Sequence, residues 1–235
     1  PKVRFLLARM TPLSDRHWRF ESGTRDLHAE IQLAIECIAK AEGVQLIDFH
    51  EPLYPYPYIL EDAVHPNAEG AGILASTVYS AITGDYGGLQ MPEIYSNGMV
   101  LQRNMPVTVS GTADAGAEVS LKLEGPFRTV RMKTVTPSSG KWSMVLKPLE
   151  AARDLKLTIE SKGKRLEYKG LAAGEVWLCS GQSNMAFMLC ESDDAGEIQA
   201  DPDLRIFNMK PKWETKNETW DREAIRSVQM LDYYN

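Results

Sequence analysis

The chain has 235 residues, 43% of them hydrophobic, and a formal net charge of −6 from 26 basic and 32 acidic side chains. That length suits one large domain or two modest ones, and the composition is globular rather than disordered. The mild, interspersed acidity argues against a nucleic-acid partner and an anionic membrane surface, and no apolar run approaches the roughly 20 residues of a membrane span.

In chain order, Val3 to Leu7 is a short apolar run that reads as a buried strand. A helical pattern begins at Thr24, with Leu27, Ile31, Ile35 and Ile38 forming one apolar face, and Gly43 stops it. Val44 to Phe49 is a second strand, which enters the aromatic, proline-rich loop Pro52 to Tyr58. His65-Pro66 opens another helix, whose apolar face is Ile73, Leu74, Val78 and Ile82 and whose end is Gly84. Strand, helix, strand, loop, helix is the rhythm of a parallel α/β sheet.

Gly84, Gly87, Gly88 and Pro92 mark a boundary. Between Ile94 and Gly170 the pattern changes to short alternating runs at 107–109, 119–123, 129–135, 142–146 and 155–159, separated by turn residues. Strands at this spacing imply a small antiparallel sandwich, in which Trp142 alternates like a core residue. From Gly174 the α/β character returns in GEVWLCSGQSNM, where the apolar strand Val176 to Cys179 empties into Ser180-Gly181-Gln182-Ser183-Asn184. One strand and a polar tail do not build a doubly wound sheet, so the chain is expected to be cut at both ends. It begins Pro1-Lys2-Val3, so the lack of a signal peptide carries no weight.

Cys37, Cys179 and Cys190 are too few and too scattered for a disulfide framework or a zinc site, and Cys179 reads as a small buried hydrophobe. They leave the compartment open.

Two constellations carry chemistry. Asp62 and His65 stand three residues apart at a loop-to-helix junction, where the carboxylate can curl back to the imidazole. That bond fixes the ring tautomer and stabilises the imidazolium formed when histidine takes a proton. The plainer reading is that Asp62 only caps backbone amides. Ser183 sits on a polar turn at the C-terminal end of an apolar strand, where α/β sheets expose reactive groups and a hydroxyl can be lifted toward substrate. Gly181, Gln182 and Asn184 shape that turn. Its plainer reading is a turn serine behind a core strand. His17, His28 and His50 show no metal-ligand spacing and read as structural. Tyr54, Tyr56 and Tyr58 in the proline loop, with Trp213 and Trp220 in the tail, are loop anchors or sugar-stacking rings. Asn217-Glu218-Thr219 fits a glycosylation sequon.

GEVWLCSGQSNM, preceded by Ser96-Asn97-Gly98-Met99-Val100-Leu101-Gln102 and Gly140-Lys141-Trp142, resembles the start of bacterial sialate O-acetylesterases from about Leu89 onward. There a β-sandwich leads into an SGNH-hydrolase domain, and the resemblance implies that Ser183 is the nucleophile. Residues 1 to about 85 resemble the closing third of a GDSL-like SGNH hydrolase, on Gly43-Val44, Leu46-Ile47-Asp48 and Asp62-x-x-His65-Pro66-Asn67-x-x-Gly70. This second resemblance implies that Asp62 and His65 close a Ser-His-Asp triad.

The implied fold class is α/β plus all-β. Residues 1–86 would be the C-terminal part of a flavodoxin-like, three-layer SGNH domain, 89–173 the sandwich, and 174–235 the start of a second SGNH domain. Together the two resemblances imply a tandem parent protein, with a circular permutation that joins Ser183 to His65 as the alternative. The implied activity is hydrolysis of acetyl esters on a sugar or glycan, with no metal or organic cofactor. A fragment lacking a base and further oxyanion donors for Ser183 is expected to be nearly inert. A periplasmic or secreted location accompanies this reading. Xylan or pectin acetyl esters are alternative substrates, and a glycan-binding or spacer role for the sandwich is the competing function.

Overall fold

The computed structural model describes residues 3–13, 24–60, 62–126, 128–179, 187–193, 195–199, 201 and 203–207. Its first part is a two-stranded parallel sheet with two helices. Strand β1 (Leu6–Ala8) pairs with β2 (Gln45–Ile47) in the register Leu6↔Gln45, Leu7↔Leu46, Ala8↔Ile47. The first strand therefore begins later than its apolar run, and Val3 and Phe5 lie exposed ahead of it.

Helix α1 (Thr24–Ala41) links the two strands. Its expected apolar face is not the face it buries. Leu27, Ile31 and Ile38 are exposed, whereas His28, Gln32 and Ala39 are buried. The cause is hydrogen bonding to the chain beyond β1. The Gln32 amide accepts from Met10 N at 3.0 Å and donates to Met10 O at 2.7 Å, and His28 Nε2 lies 3.0 Å from Thr11 O. Those bonds draw the polar face of α1 onto the chain beyond β1, and among the described residues the β1–β2 pair leaves the apolar stripe uncovered.

Helix α2 (Ala68–Thr83) begins at the N-cap Asn67, so His65 and Pro66 precede it rather than open it. Gly84, at φ 77°, ends it in the left-handed conformation that glycine adopts without strain. Ile73, Leu74 and Val78 are half-buried, but Ile82 is exposed.

The second part comprises β3 (Val100–Gln102), β4 (Val107–Thr112), β5 (Glu118–Glu124), β6 (Thr129–Val135), β7 (Lys141–Leu146), β8 (Ala152–Ser161) and β9 (Lys164–Gly174). They form a sheet in the order β3-β9-β8-β5-β6 and a pair β4-β7, and their inward side chains share one core that includes Val109, Leu121, Trp142, Leu157 and Leu171. The period-two burial of β7 places Trp142, Met144 and Leu146 inside. Trp142 faces Gly111 across the β4–β7 ladder, and a Cβ on that glycine would stand 2.5 Å from Gln90 O and 2.9 Å from the indole.

Two expectations for this part are corrected. The sheet is not wholly antiparallel, because β3 runs parallel to β9. These strands lie far apart in sequence with no hairpin between them, so no tight turn dictates their direction. The run 176–179 is also not a strand, and Val176, Trp177, Leu178 and Cys179 are exposed. Strand β9 has ended at Gly174, and the run is tied to the sheet through Val176 N, which donates to Gln102 Oε1 at 2.8 Å. Among the described residues no ladder receives it, so its side chains stay outside and Cys179 is not a core thiol.

Candidate active site

The loop after β2 is built turn upon turn. Asp48 Oδ1 accepts from His50 N at 3.0 Å and Glu51 N at 3.1 Å, an Asx-type turn that starts the loop. His50 O then accepts from Leu53 N and Tyr54 N, Leu53 O from Tyr56 N, and Tyr56 O from Ile59 N. Leu53, Ile59 and Leu60 are buried beneath it, so the loop rests on its own small core. A bridge between Leu60 and Pro66, with Asn67 N donating to Ile59 O at 2.9 Å, pinches its far end.

Asp62 and His65 stand in that pinch. Ala63 between them has φ 70°, a left-handed conformation uncommon outside glycine. It curls the chain so that Asp62 Oδ1 accepts from Val64 N at 3.1 Å and His65 N at 2.7 Å. The other oxygen, Oδ2, lies 2.6 Å from His65 Nδ1. The carboxylate therefore caps the turn and orients the ring together, rather than only one of these.

The His65 side-chain hydrogen bond, then the amides of His65 and Val64, hold the Asp62 carboxyl well below the usual carboxylate range. A carboxylate at Nδ1 that is ionised at neutral pH favours the tautomer with its proton there and leaves Nε2 as the acceptor. The His65 side chain is 78% exposed, so Nε2 is free to meet a reacting group.

The residues around the pair explain the spacing of the motif. Asn67 Oδ1 accepts from Gly70 N at 3.1 Å and caps α2. Gly70 is bare where Ile59 Cγ2 and Pro66 Cβ press on the helix, so a side chain there would displace the loop. The Pro-Asn-x-x-Gly pattern thus fixes the pinch. The conformation of Ala63 and the anchoring by Asp48 carry no comparable signal in the sequence.

The other aromatic and imidazole groups line the same loop. His50 stacks on Tyr54 at 5.4 Å between centroids, and the His28 ring lies 5.9 Å from it, tilted by 31°. Burial, then the charges of Arg9 and His28, push the His50 imidazole down from its ordinary value. Tyr56 meets Tyr58 edge-on, and the Tyr58 hydroxyl donates to Glu69 Oε1 at 3.2 Å.

Gly181, Gln182, Ser183 and Asn184 lie outside the described residues, as do His17, Trp213, Trp220 and the sequon at Asn217. Asp62 and His65 are therefore the candidate site residues seen together. Among the described residues no group of three or more His, Cys, Asp or Glu side chains could hold a metal ion, and no helix is long and apolar enough to cross a membrane.

No protein-family model matches the chain. Its sequence is similar to sialate O-acetylesterases. The Rattus norvegicus protein is 31% identical over 134 residues, 52% of this chain and 24% of that protein. That of Pongo abelii is 28% identical over 149 residues, 59% of this chain and 28% of the other. That of Homo sapiens is 28% identical over 135 residues, 53% and 26% respectively. The chain thus spans about a quarter of the length of the curated relatives it matches. Among solved structures, a carbohydrate acetylesterase from Xanthomonas citri superposes with a TM-score of 0.41 at 26% identity, over 46% of this chain and 24% of that one. These relatives are esterases, and about half of this chain aligns with about a quarter of each of them.

Proposed function

We propose that this chain is part of a serine-dependent carbohydrate O-acetylesterase of SGNH type, and that Asp62 and His65 are the orienting carboxylate and the general base of one of its sites. The observation that carries this reading is the Asp62–His65 pair, with Nδ1 held at 2.6 Å by a carboxylate depressed in pKa and the imidazole open to solvent. Capping alone would need only one carboxylate oxygen.

The reaction is acyl transfer in two halves. A serine hydroxyl attacks the acetyl carbonyl while the imidazole takes its proton, and the sugar alcohol leaves with that proton as the C–O bond breaks. Water, activated by the same imidazole, then adds to the acetyl-enzyme, releases acetate and restores the serine. Asp62 stays ionised throughout and stabilises the imidazolium.

In the tandem reading, His65 serves a serine that precedes Pro1, and Ser183 is the nucleophile of a second site whose base follows Asn235. By the family resemblance, the backbone N–H of Ser183 is the first oxyanion donor there. Loss of one such donor typically costs about 10² to 10³ in rate. Sequence similarity to sialate O-acetylesterases supports an acetylated sugar as substrate. A periplasmic or secreted location is part of the same proposal. Xylan and pectin acetyl esters are the alternatives.

For the sandwich, a supporting role is favoured over glycan binding. The outward side of β8 and β9 carries an ion-pair ladder in which Glu167 meets Lys156, Arg165 and Lys169, rather than a row of aromatic rings. Fluorophosphonate labelling of the intact protein tests the nucleophile. The expected result is an adduct on Ser183, lost in Ser183→Ala. An unlabelled Ser183, beside labelled control esterases, contradicts the assignment.

A further inference from the structure

Asp48 is a junction as well as a turn cap. Its Oδ1 holds the amides of His50 and Glu51, while Oδ2 lies 3.4 Å from both Arg9 Nη1 and Lys141 Nζ. Arg9 follows β1 and also pairs with Glu36 of α1 at 3.2 Å. Lys141 belongs to the sandwich, where it is the first residue of β7, and its ammonium also pairs with Glu51. One carboxylate thus ties together the end of β1, helix α1, the start of the loop and the sandwich.

The sandwich element that reaches across is a shaped turn. Gly140 N donates to Pro137 O at 3.0 Å, and Gly140 itself is left-handed at φ 73° with the Tyr86 ring packed against its bare face. Ser138 O accepts from Tyr86 Oη at 2.8 Å and Gln45 Nε2 at 3.2 Å, the second donor being a β2 residue. The Lys141 backbone is fixed opposite Thr112 in the β4–β7 ladder. The charge is therefore offered from a strand, not from a floppy surface.

Burial alone would push the Asp48 carboxyl up. The Glu51 amide and the charges of Lys141 and Arg9 overcome this and hold it below its ordinary value, so the junction stays charged. A partly exposed ion pair contributes little to overall stability. Its consequence here is geometric, because the turn it fixes is the first of the turns between Asp48 and Ile59, and Ile59 O in turn accepts from Asn67 N behind Asp62 and His65.

We propose that the sandwich is a structural arm of the Asp62–His65 site, with the 137–141 turn clamping the start of the catalytic loop and Lys141 acting as its positioning residue. This rests on the reading of the pair given above, and extends it by assigning the sandwich a part in that site rather than the role of a spacer.

The test uses the full chain and needs no hydrolysis. Amide hydrogen exchange and the His65 Nδ1–H resonance are recorded for the wild type, Lys141→Met, Lys141→Arg and Glu51→Gln. In Lys141→Met and Glu51→Gln, exchange at Leu53, Tyr54 and Ala63 is expected to quicken about threefold to tenfold, and the Nδ1–H signal to broaden. Amides of β4 and β7 keep their wild-type rates, and Lys141→Arg keeps both loop signals. Unchanged loop exchange and an unchanged imidazole signal would overturn the proposal. So would a rise in β4 and β7 as large as that in the loop in both variants, since that reports a damaged sandwich. Failure of the fluorophosphonate test would leave this result standing, so the two readings fail separately.

Discussion

Ile59 lies against the bare α-carbon of Gly70, closer than any Cβ on that residue would permit. This contact seats the loop carrying Asp62 on the first turn of α2, and it decides the sign of a substitution that would otherwise stabilise the helix.

Gly70→Ala gains up to about 1 kcal/mol of helix propensity but forces overpacking that typically costs about 1–3 kcal/mol. With the full propensity gain, the expected net result is a loss of up to about 2 kcal/mol, with a weakened His65 Nδ1–H signal. Gly72→Ala is the control, because nothing lies within 4 Å of its would-be Cβ. It is expected to raise stability by up to about 1 kcal/mol and leave His65 unchanged, as read by denaturant unfolding and NMR.

Asp62 is expected to stay ionised where an ordinary aspartate, near pH 3.9, is half protonated. Its pKa is depressed in the folded chain by the His65 ring and the amides of His65 and Val64. Its contribution to stability is therefore complete above the unfolded value and is lost only as pH falls below that value toward the folded one. A carboxyl ¹³C titration checks this, and a midpoint near the ordinary value would contradict it. In Asp62→Asn, the Nδ1–H resonance of His65 should weaken at neutral pH.

Trp142 is 2% exposed in the shared core of the two sandwich sheets. Trp142→Ala should cost about 3–5 kcal/mol, because deletion of a large buried ring leaves a cavity. Gly111→Ala, opposite it, should destabilise too, since the new methyl meets Gln90 O at 2.5 Å. Thermal unfolding followed by near-ultraviolet circular dichroism measures both.

Ser183→Ala and His65→Ala distinguish one site from two in the intact protein. If the domains stand in tandem, each variant removes part of the acetate release and the double variant removes the rest. If a permuted fold unites Ser183 with His65, each single variant removes all of it.

The sequence was most legible where one rule acted alone. Period-two alternation located β5, β6 and β7, and Trp142 is inside as its position implied. Strand β9 was missed because its inward positions change parity, from Leu166 and Tyr168 to Leu171 and Ala173, across a register shift beside the left-handed Gly170. In α1, polar side chains captured by the backbone of Met10 and Thr11 outweighed the apolar stripe of Leu27, Ile31 and Ile38. Apolar content at 176–179 implied a strand, but a strand also requires a neighbour, and sequence alone does not supply one. Within the site, the Asp-x-x-His spacing was readable because it is local. The arm formed by Lys141 was not, since it joins residues about ninety positions apart.

Acetate release from O-acetylated sugars by the intact protein, compared with that of His65→Ala under conditions in which Ser183→Ala has silenced the other site, tests the central assignment most directly. The account predicts a loss of about 10² to 10⁴ in rate, the usual contribution of a positioned general base. An unchanged rate, on sialic acid, xylan and pectin esters alike, would contradict it.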